Sequence, residues 1–147
     1  MQIRDAMTKD PVCCTPDTTI ATVARMMVDH DCGAIPVVVD LVTRTPIGMV
    51  TDRDIVTRTL ALGIDPLGVP VRVCMTAPAV TLPDDAGLDD CVALLERGQI
   101  RRALIVDRSG ACVGIVAQAD IARCASKRET GDMVREVSRR GEPAFVA

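Results

Sequence analysis

The sequence predicts an α/β (α+β) fold made of two β-α-β-β-α repeats packed with pseudo-two-fold symmetry. Three observations carry that expectation. The stretch Gly48-Met49-Val50-Thr51-Asp52-Arg53-Asp54-Ile55 returns, altered, as Gly114-Ile115-Val116-Ala117-Gln118-Ala119-Asp120-Ile121. Met7-Thr8 and Pro16-Asp17 return in the same way as Met75-Thr76 and Pro83-Asp84. The register also holds: Ile20 and Leu88, like Val38 and Val106, stand 68 apart, whereas Gly48 and Gly114, like Asp54 and Asp120, stand 66 apart. The missing two residues fall in a hairpin turn, where length changes are tolerated best. Units this small cannot each bury a sheet face alone, so they must share a core. The chain therefore divides into residues 1–70 (first repeat and linker), 71–126 (second repeat) and 127–147 (C-terminal helix and tail).

Taken in order, residues 1–16 hold a short amphipathic start and then an extended segment flanked by Pro11 and Pro16, since proline and its predecessor both avoid helix. Asp17-Thr18 supplies capping oxygens. Ile20, Val23, Ala24 and Met27 then fall on one face of a helix ending near His30. Ala34 to Val39 is a continuous, β-branched run and predicts a strand buried on both faces. Its Pro36 cannot donate to a ladder, which argues for an edge or strand-start position. Ile47 to Val50 is the returning strand. The helix after Thr51 sets Ile55, Val56, Thr59 and Leu60 on one side and stops at Gly63. Residues 63–70, with two glycines and two prolines, read as the linker.

The second repeat follows the same plan. Its first helix carries Leu88, Cys91, Val92 and Leu95 and stops at Gly98. A strand from Ala103 to Asp107 turns at Arg108 to Gly110, returns from Cys112 to Val116, and leads into a helix over 118–125. Beyond Lys127, one short helix is expected from Asp132 to Arg139 with Met133, Val134 and Val137 inward, closed by Gly141 to Pro143.

Composition narrows the function. Hydrophobic residues make up 48 % of the 147 and charged ones 25 %, a globular profile. No apolar run approaches a membrane span, and the charged start Met1 to Asp5 does not resemble a signal peptide, so a cytoplasmic location is expected. A net charge of −3 does not favour nucleic acid or an anionic membrane as partner. Phe145 is the only aromatic residue, so base-stacking platforms are missing. Seven cysteines without a C-x-x-C, beside the single histidine His30, give poor support to a metal site. They read mostly as small hydrophobes in a reducing compartment, with the Cys13-Cys14 doublet as the place to look for redox chemistry. No nucleophile–base–acid set is recognisable with one histidine, which itself reads as a charge at a helix C-terminus. Catalysis is therefore not expected.

At residues 7–125 the chain resembles a tandem pair of CBS domains, the regulatory repeat of the cystathionine β-synthase type. The resemblance rests on the two octapeptides above, on His30-Asp-Cys-Gly-Ala-Ile-Pro-Val37 and on Ile100-Arg-Arg-Ala-Leu-Ile-Val-Asp107. It implies clefts between the repeats that bind AMP, ADP, ATP or S-adenosylmethionine as a regulatory ligand, with no tightly bound cofactor. It also implies association into a homodimer.

Placed in such a site, the residues have distinct uses. The turn into the helix after Thr51 leaves the first helical N–H groups as a seat for phosphate, and the Thr51 hydroxyl stands beside them. Asp54 offers two oxygens to the ribose hydroxyls, and Gly48 lets a ligand or a neighbouring backbone come close. Adenine is expected among aliphatic groups around Thr15, Ile20, Ile35 and Pro36. In the second repeat Arg101 and Arg102, followed by Ala103 as a further candidate site residue, stand where the first has Gly33-Ala34, and the arginines can fork onto phosphate. They are expected to serve Asp120 and the more phosphorylated ligand.

Thr51-x-x-Asp54 is equally a helix capping box. The second repeat bears on that choice, because Ala117 has lost the cap hydroxyl while Asp120 is still present. The expected function is a ligand-sensing regulatory module that signals to an unidentified protein partner. Its alternatives are a ligand-free interaction dimer and a redox sensor using Cys13, Cys14 or Cys32.

Overall fold

In the computed structural model, which describes residues 1–139, the helical and strand periodicities resolve in the expected order. The chain runs β1 (Thr8–Lys9), α1 (Ile20–Asp29), β2 (Ala34–Val38), β3 (Pro46–Thr51), α2 (Asp52–Arg58), β4 (Thr81–Pro83), α3 (Leu88–Gly98), β5 (Arg102–Val106), β6 (Cys112–Ala117), α4 (Gln118–Ala122) and α5 (Lys127–Val137). Strands β2 and β3 form an antiparallel pair, and β1-β6-β5-β4 form a four-stranded sheet in which only β4 and β5 are parallel. Thr19 caps α1 by accepting from the Thr22 N–H at 3.2 Å, one residue later than the Asp17-Thr18 expectation. Thr18 instead accepts from the Thr15 N–H at 3.1 Å and tightens the turn before it.

Each repeat lends its leading arm to the other. Ile3 donates to Ala86 and Arg4 to Asp84, and Leu88 donates to Met1, all through backbone. The corresponding bonds of the other half are Val71 to Thr18, Arg72 to Pro16, and Ile20 to Val69. Thr8 and Lys9 then pair with Ile115 and Gly114, while Thr76 exchanges two bonds with Met49, at 2.8 and 2.9 Å. The arms cross over, so each sheet is finished by residues that precede the other repeat.

Gly48 and Gly114 are explained by this crossing. A Cβ on Gly48 would stand 2.5 Å from the Thr76 carbonyl oxygen, and one on Gly114 would collide with the Met7 side chain. Of the two uses expected for Gly48, close approach of a neighbouring backbone is the one seen.

Two cores result. Cys14, Ile20, Val23, Ile35, Val37, Val50, Val71 and Cys74 fill the first. Ile3, Cys91, Leu95, Ala103, Ile105, Val116 and Ile121 fill the second, where α5 adds Met133 and Val137. Cys13, Val38, Leu104 and Cys112 make a small third cluster on the seam between repeats.

Several expectations need correction. The C-terminal helix starts at Lys127, not Asp132, because Ser126 and Glu129 close a capping box there, and Val134 faces solvent. Gly141 to Pro143 lies outside the described residues. Helix α4 ends at Ala122 where a helix to residue 125 was expected. Ala24, Val56 and Leu60 are exposed despite their apolar spacing.

Pro36 sits mid-strand in β2, so the edge position is the alternative that holds, because β2 pairs only with β3 in a two-stranded sheet. The Pro36 carbonyl accepts from the Cys14 N–H at 3.0 Å, so its missing N–H points to the same neighbouring segment. At the matching place in the second repeat Leu104 does have an N–H, which donates to Val80 at 2.9 Å and helps extend a true strand there. Around Cys14 the pairing stays a single bridge to Val37. One proline therefore accounts for the shorter sheet of the first half.

Candidate functional site

One cleft lies between the repeats and draws on both. Thr51 and Asp54 come from the β3–α2 turn, Arg101 from the α3–β5 loop and Arg102 from the start of β5. The crossed arm supplies Thr76, Pro78, Ala79 and Val80. Met49, Ile100 and Leu104 complete its walls. Its cavity volume is about 200 Å³, below the range of about 300–1,000 Å³ usual for small-molecule sites, and it opens to solvent on one side.

Its polar groups are already partly engaged. Asp54 Oδ2 accepts from the Thr51 N–H at 3.0 Å, and Thr51 Oγ1 accepts from the Asp54 N–H at 3.1 Å, a complete capping box. The Asp52 N–H donates to Gly33 and the Arg53 N–H to the Asp52 carboxylate, at 3.0 and 2.8 Å. The N–H groups of residues 51 to 54 are thus all satisfied internally, and the phosphate seat expected at this helix start is closed. Asp54 Oδ1 is held more loosely, by the Thr76 hydroxyl at 3.4 Å and Arg58 Nε at 3.8 Å. That oxygen can still accept from a ligand hydroxyl. Cation-to-anion contacts in this cleft are left to Arg101 and Arg102.

A second cleft occupies the symmetry-related position. Thr8, Lys9, Asp10, Pro11 and Val12 of the other arm line it with His30, Cys32, Ala34 and Ile115. His30, at the C-terminal end of α1 as expected, thereby borders a cleft. Where the first cleft has two arginines, this one has Gly33 and Ala34. Asp120 is 7 % exposed, accepting from the Ala117 N–H at 2.8 Å and paired with Arg123 at 3.0 Å. Loss of the hydroxyl at Ala117 removes only half of the box. The acid still has a structural task, so its survival in both repeats does not by itself argue for a ligand.

The pairing of Arg101 and Arg102 with Asp120 is overturned. Both arginines line the cleft of Asp54, because the crossed arms set the site between halves. The adenine wall placed at Thr15, Ile20, Ile35 and Pro36 is overturned as well. Ile20 and Ile35 are core residues of the first repeat, Pro36 is buried in β2, Thr15 bonds to Thr18, and none of the four lines either cleft. Ala103 belongs to the second core. The apolar wall that exists, Met49 with Pro78 to Val80, Ile100 and Leu104, was missed. Its one sequence signal is the repeat of Met7-Thr8 as Met75-Thr76, which marks the arms without saying where they go.

Among the described residues no three His, Cys, Asp or Glu side chains gather as a metal site, and no helix is long and apolar enough to cross a membrane.

A family model described as "CBS domain" matches residues 3–60 and again 71–127. The CBS domain-containing protein YhcV of Bacillus subtilis is 41 % identical over 120 residues, 82 % of each chain. The solved Hypoxic Response Protein I, described with two coordinated zinc ions, is similar at 32 % identity and TM-score 0.75, covering 86 % of this chain and all of that one. Hypoxic response protein 1 of Mycobacterium tuberculosis is 33 % identical over 82 % of each chain. The solved CBSX2 in complex with AMP is 25 % identical with a TM-score of 0.71, covering 84 % of this chain and 94 % of that one. The zinc of the first structure finds no matching ligand cluster among the described residues here.

Proposed function

From the premise that this chain belongs to the CBS-domain family, we propose that it is a regulatory module that binds one adenine nucleotide in the first cleft and has no catalytic activity. The observation that carries this reading is the convergence of Asp54 from one repeat with Arg101 and Arg102 from the other on a single apolar-walled cleft. Asp54 Oδ1 accepts from the ribose, the two guanidinium groups hold phosphate, and the base lies against Met49, Pro78, Ala79 and Leu104. AMP, ADP and ATP fit this division of labour; S-adenosylmethionine fits through its carboxylate, which offers one arginine a partner and leaves the other without. A ligand held by both repeats stabilises one relative orientation of them, and that differential binding is the signal.

The module is proposed to work as a cytoplasmic homodimer that passes the change to a protein partner. Seven cysteines that are all free support the reducing compartment. Exposed Val56, Leu60 and Leu62, on α2 and the turn after it, support self-association.

A second reading, a ligand-free interaction module, is favoured by the closed capping box at Thr51 and Asp54. Calorimetry with AMP, ADP, ATP and S-adenosylmethionine separates the two. The expected result is saturable heat at one site per chain, strongest for a phosphorylated ligand. Absence of heat and of any melting shift with all four establishes the interaction module instead.

A further inference from the structure

Cys13 and Cys112 come from different repeats and meet on the seam. Cys13 lies in the segment that flanks β2, Cys112 opens β6, and their side chains share one buried cluster with Val38 and Leu104. Cys13 Sγ donates to the Pro11 carbonyl at 3.3 Å and Cys112 Sγ to the Gly114 carbonyl at 3.7 Å. Arg44, in the β2–β3 turn, reaches across to them. Its Nη2 donates to Cys13 Sγ at 3.4 Å and to the Pro11 carbonyl at 2.9 Å, and its own carbonyl accepts from the Cys112 N–H at 2.8 Å. Arg44 does this from φ +55°, a region that L side chains seldom adopt. Its Nε is buried without a partner.

The arrangement occurs once. At the symmetry-related place of the other half the counterparts of Cys13 and Cys112 are Thr81 and Pro46, and the shorter second hairpin has no residue in the role of Arg44. Two thiols and one guanidinium on one side of the seam are therefore a feature of this side and not a consequence of duplication.

We propose that Cys13 and Cys112 are a peroxide-reactive pair that closes into a reversible disulfide across the two repeats. The Cys13 thiolate attacks a hydroperoxide: a sulfur–oxygen bond forms, the oxygen–oxygen bond breaks, and the departing hydroxide takes a proton to become water. Sulfur is oxidised to a sulfenic acid as the peroxide is reduced. Cys112 then attacks the Cys13 sulfur, the sulfur–oxygen bond breaks, and the second hydroxide leaves with the Cys112 proton as water. Overall, two thiols and one hydrogen peroxide give a disulfide and two waters. A dithiol reductant reverses the bond by exchange.

The roles follow from access and charge. Cys13 keeps 9 % of its exposure against 1 % for Cys112, so the first attack falls to Cys13. The adjacent Cys112 thiol and, against the opposing effect of burial, the charge and hydrogen bond of Arg44 hold the Cys13 thiol at about 7, while Cys13 and burial push Cys112 up. Cys14 next door is pushed up to about 12, mainly by burial, and is inert by comparison.

This inference does not rest on the nucleotide reading, and its test needs no nucleotide. The full chain is treated with hydrogen peroxide and mapped by mass spectrometry without reduction. The expected product has lost two hydrogens, and the peptide carrying Cys13 is joined to the one carrying Cys112. Cys112→Ser stops at the sulfenic acid, captured on Cys13 by dimedone. Arg44→Met slows the reaction of Cys13 about tenfold as its thiolate fraction falls, and Arg44→Lys restores part of the rate. The proposal is overturned if Cys13 reacts no faster than buried Cys91, or if mapping joins it to Cys14 or Cys124.

Discussion

The two clefts are built from the same parts and differ in what remains free in them. In the first, Thr51 and Asp54 close a full capping box, yet Asp54 Oδ1 stays loosely held and two arginines stand opposite. At the second, Asp120 is bound tightly between the Ala117 N–H and Arg123 and does not reach the lining, and Gly33 and Ala34 stand where the arginines would be. Duplication thus conserves the cap and leaves the ligand chemistry to whatever the other repeat presents. A cap needs only its own turn, whereas a cleft needs both halves.

That contrast breaks most sharply at the arginines. Replacing Arg101 and Arg102 together by Ala is expected to cost about 3 kcal/mol of AMP binding, two charge-assisted hydrogen bonds, or on the order of a hundredfold in affinity by calorimetry. Asp54→Asn keeps an oxygen for the cap and loses the charge, with about thirtyfold weaker binding for about 2 kcal/mol. Asp120→Asn should leave AMP affinity unchanged, and a matching loss there would make the second cleft the site.

The glycines sharpen the same comparison in the fold itself. Gly48→Ala drives a methyl group into the Thr76 backbone, which is held by two bonds to Met49 and cannot yield. Gly114→Ala meets a flexible Met7 side chain that can swing away. Urea melts should show a loss of about 3 kcal/mol for Gly48→Ala, and about 1 kcal/mol for Gly114→Ala, the two ends of the usual overpacking range. Equal losses would mean that the arms are held alike.

The last effect, above pH 9, concerns one thiol in each core. Burial, with smaller contributions from Cys13 and Cys74, raises Cys14 from 9.0 to about 12, and burial raises Cys91 from 9.0 to about 11. Above pH 9 the unfolded chain releases protons that the folded chain retains, so stability present below pH 9 falls as pH rises toward 11 and 12. Melting between pH 8 and 10.5 is expected to show that decline, and Cys14→Ala and Cys91→Ala should each flatten it. The Cys14 variant should flatten it more at the alkaline end.

Much of the fold was legible because periodicity is a local property. The i, i+3, i+4 spacing of Ile20 and Val23 and the β-branched run at 34–38 each declare a buried face without reference to anything distant. Where local pattern met a non-local demand it erred. Val56 and Leu60 have apolar spacing but are exposed, with no partner covering them among the described residues. The site was legible in its polar residues, Thr51, Asp54, Arg101 and Arg102, but not in their grouping. Its apolar wall was hidden because Pro78 to Val80 belong to a segment that looks like linker.

The sequence by itself determined that there are two repeats, where the main helices and the central strand pair of each repeat lie, and which acid closes each turn, since all of these follow from short-range chemistry and a constant register. Only the tertiary structure decided that the arms cross, that Arg101 and Arg102 serve Asp54 instead of Asp120, and that Cys13 meets Cys112 under Arg44. Each of those is a contact between residues far apart in the chain, and a repeated pattern is symmetric in a way that cannot say which copy its neighbours will face. The backbone bonds of two short arms, Met1–Lys9 and Val69–Thr76, settle it.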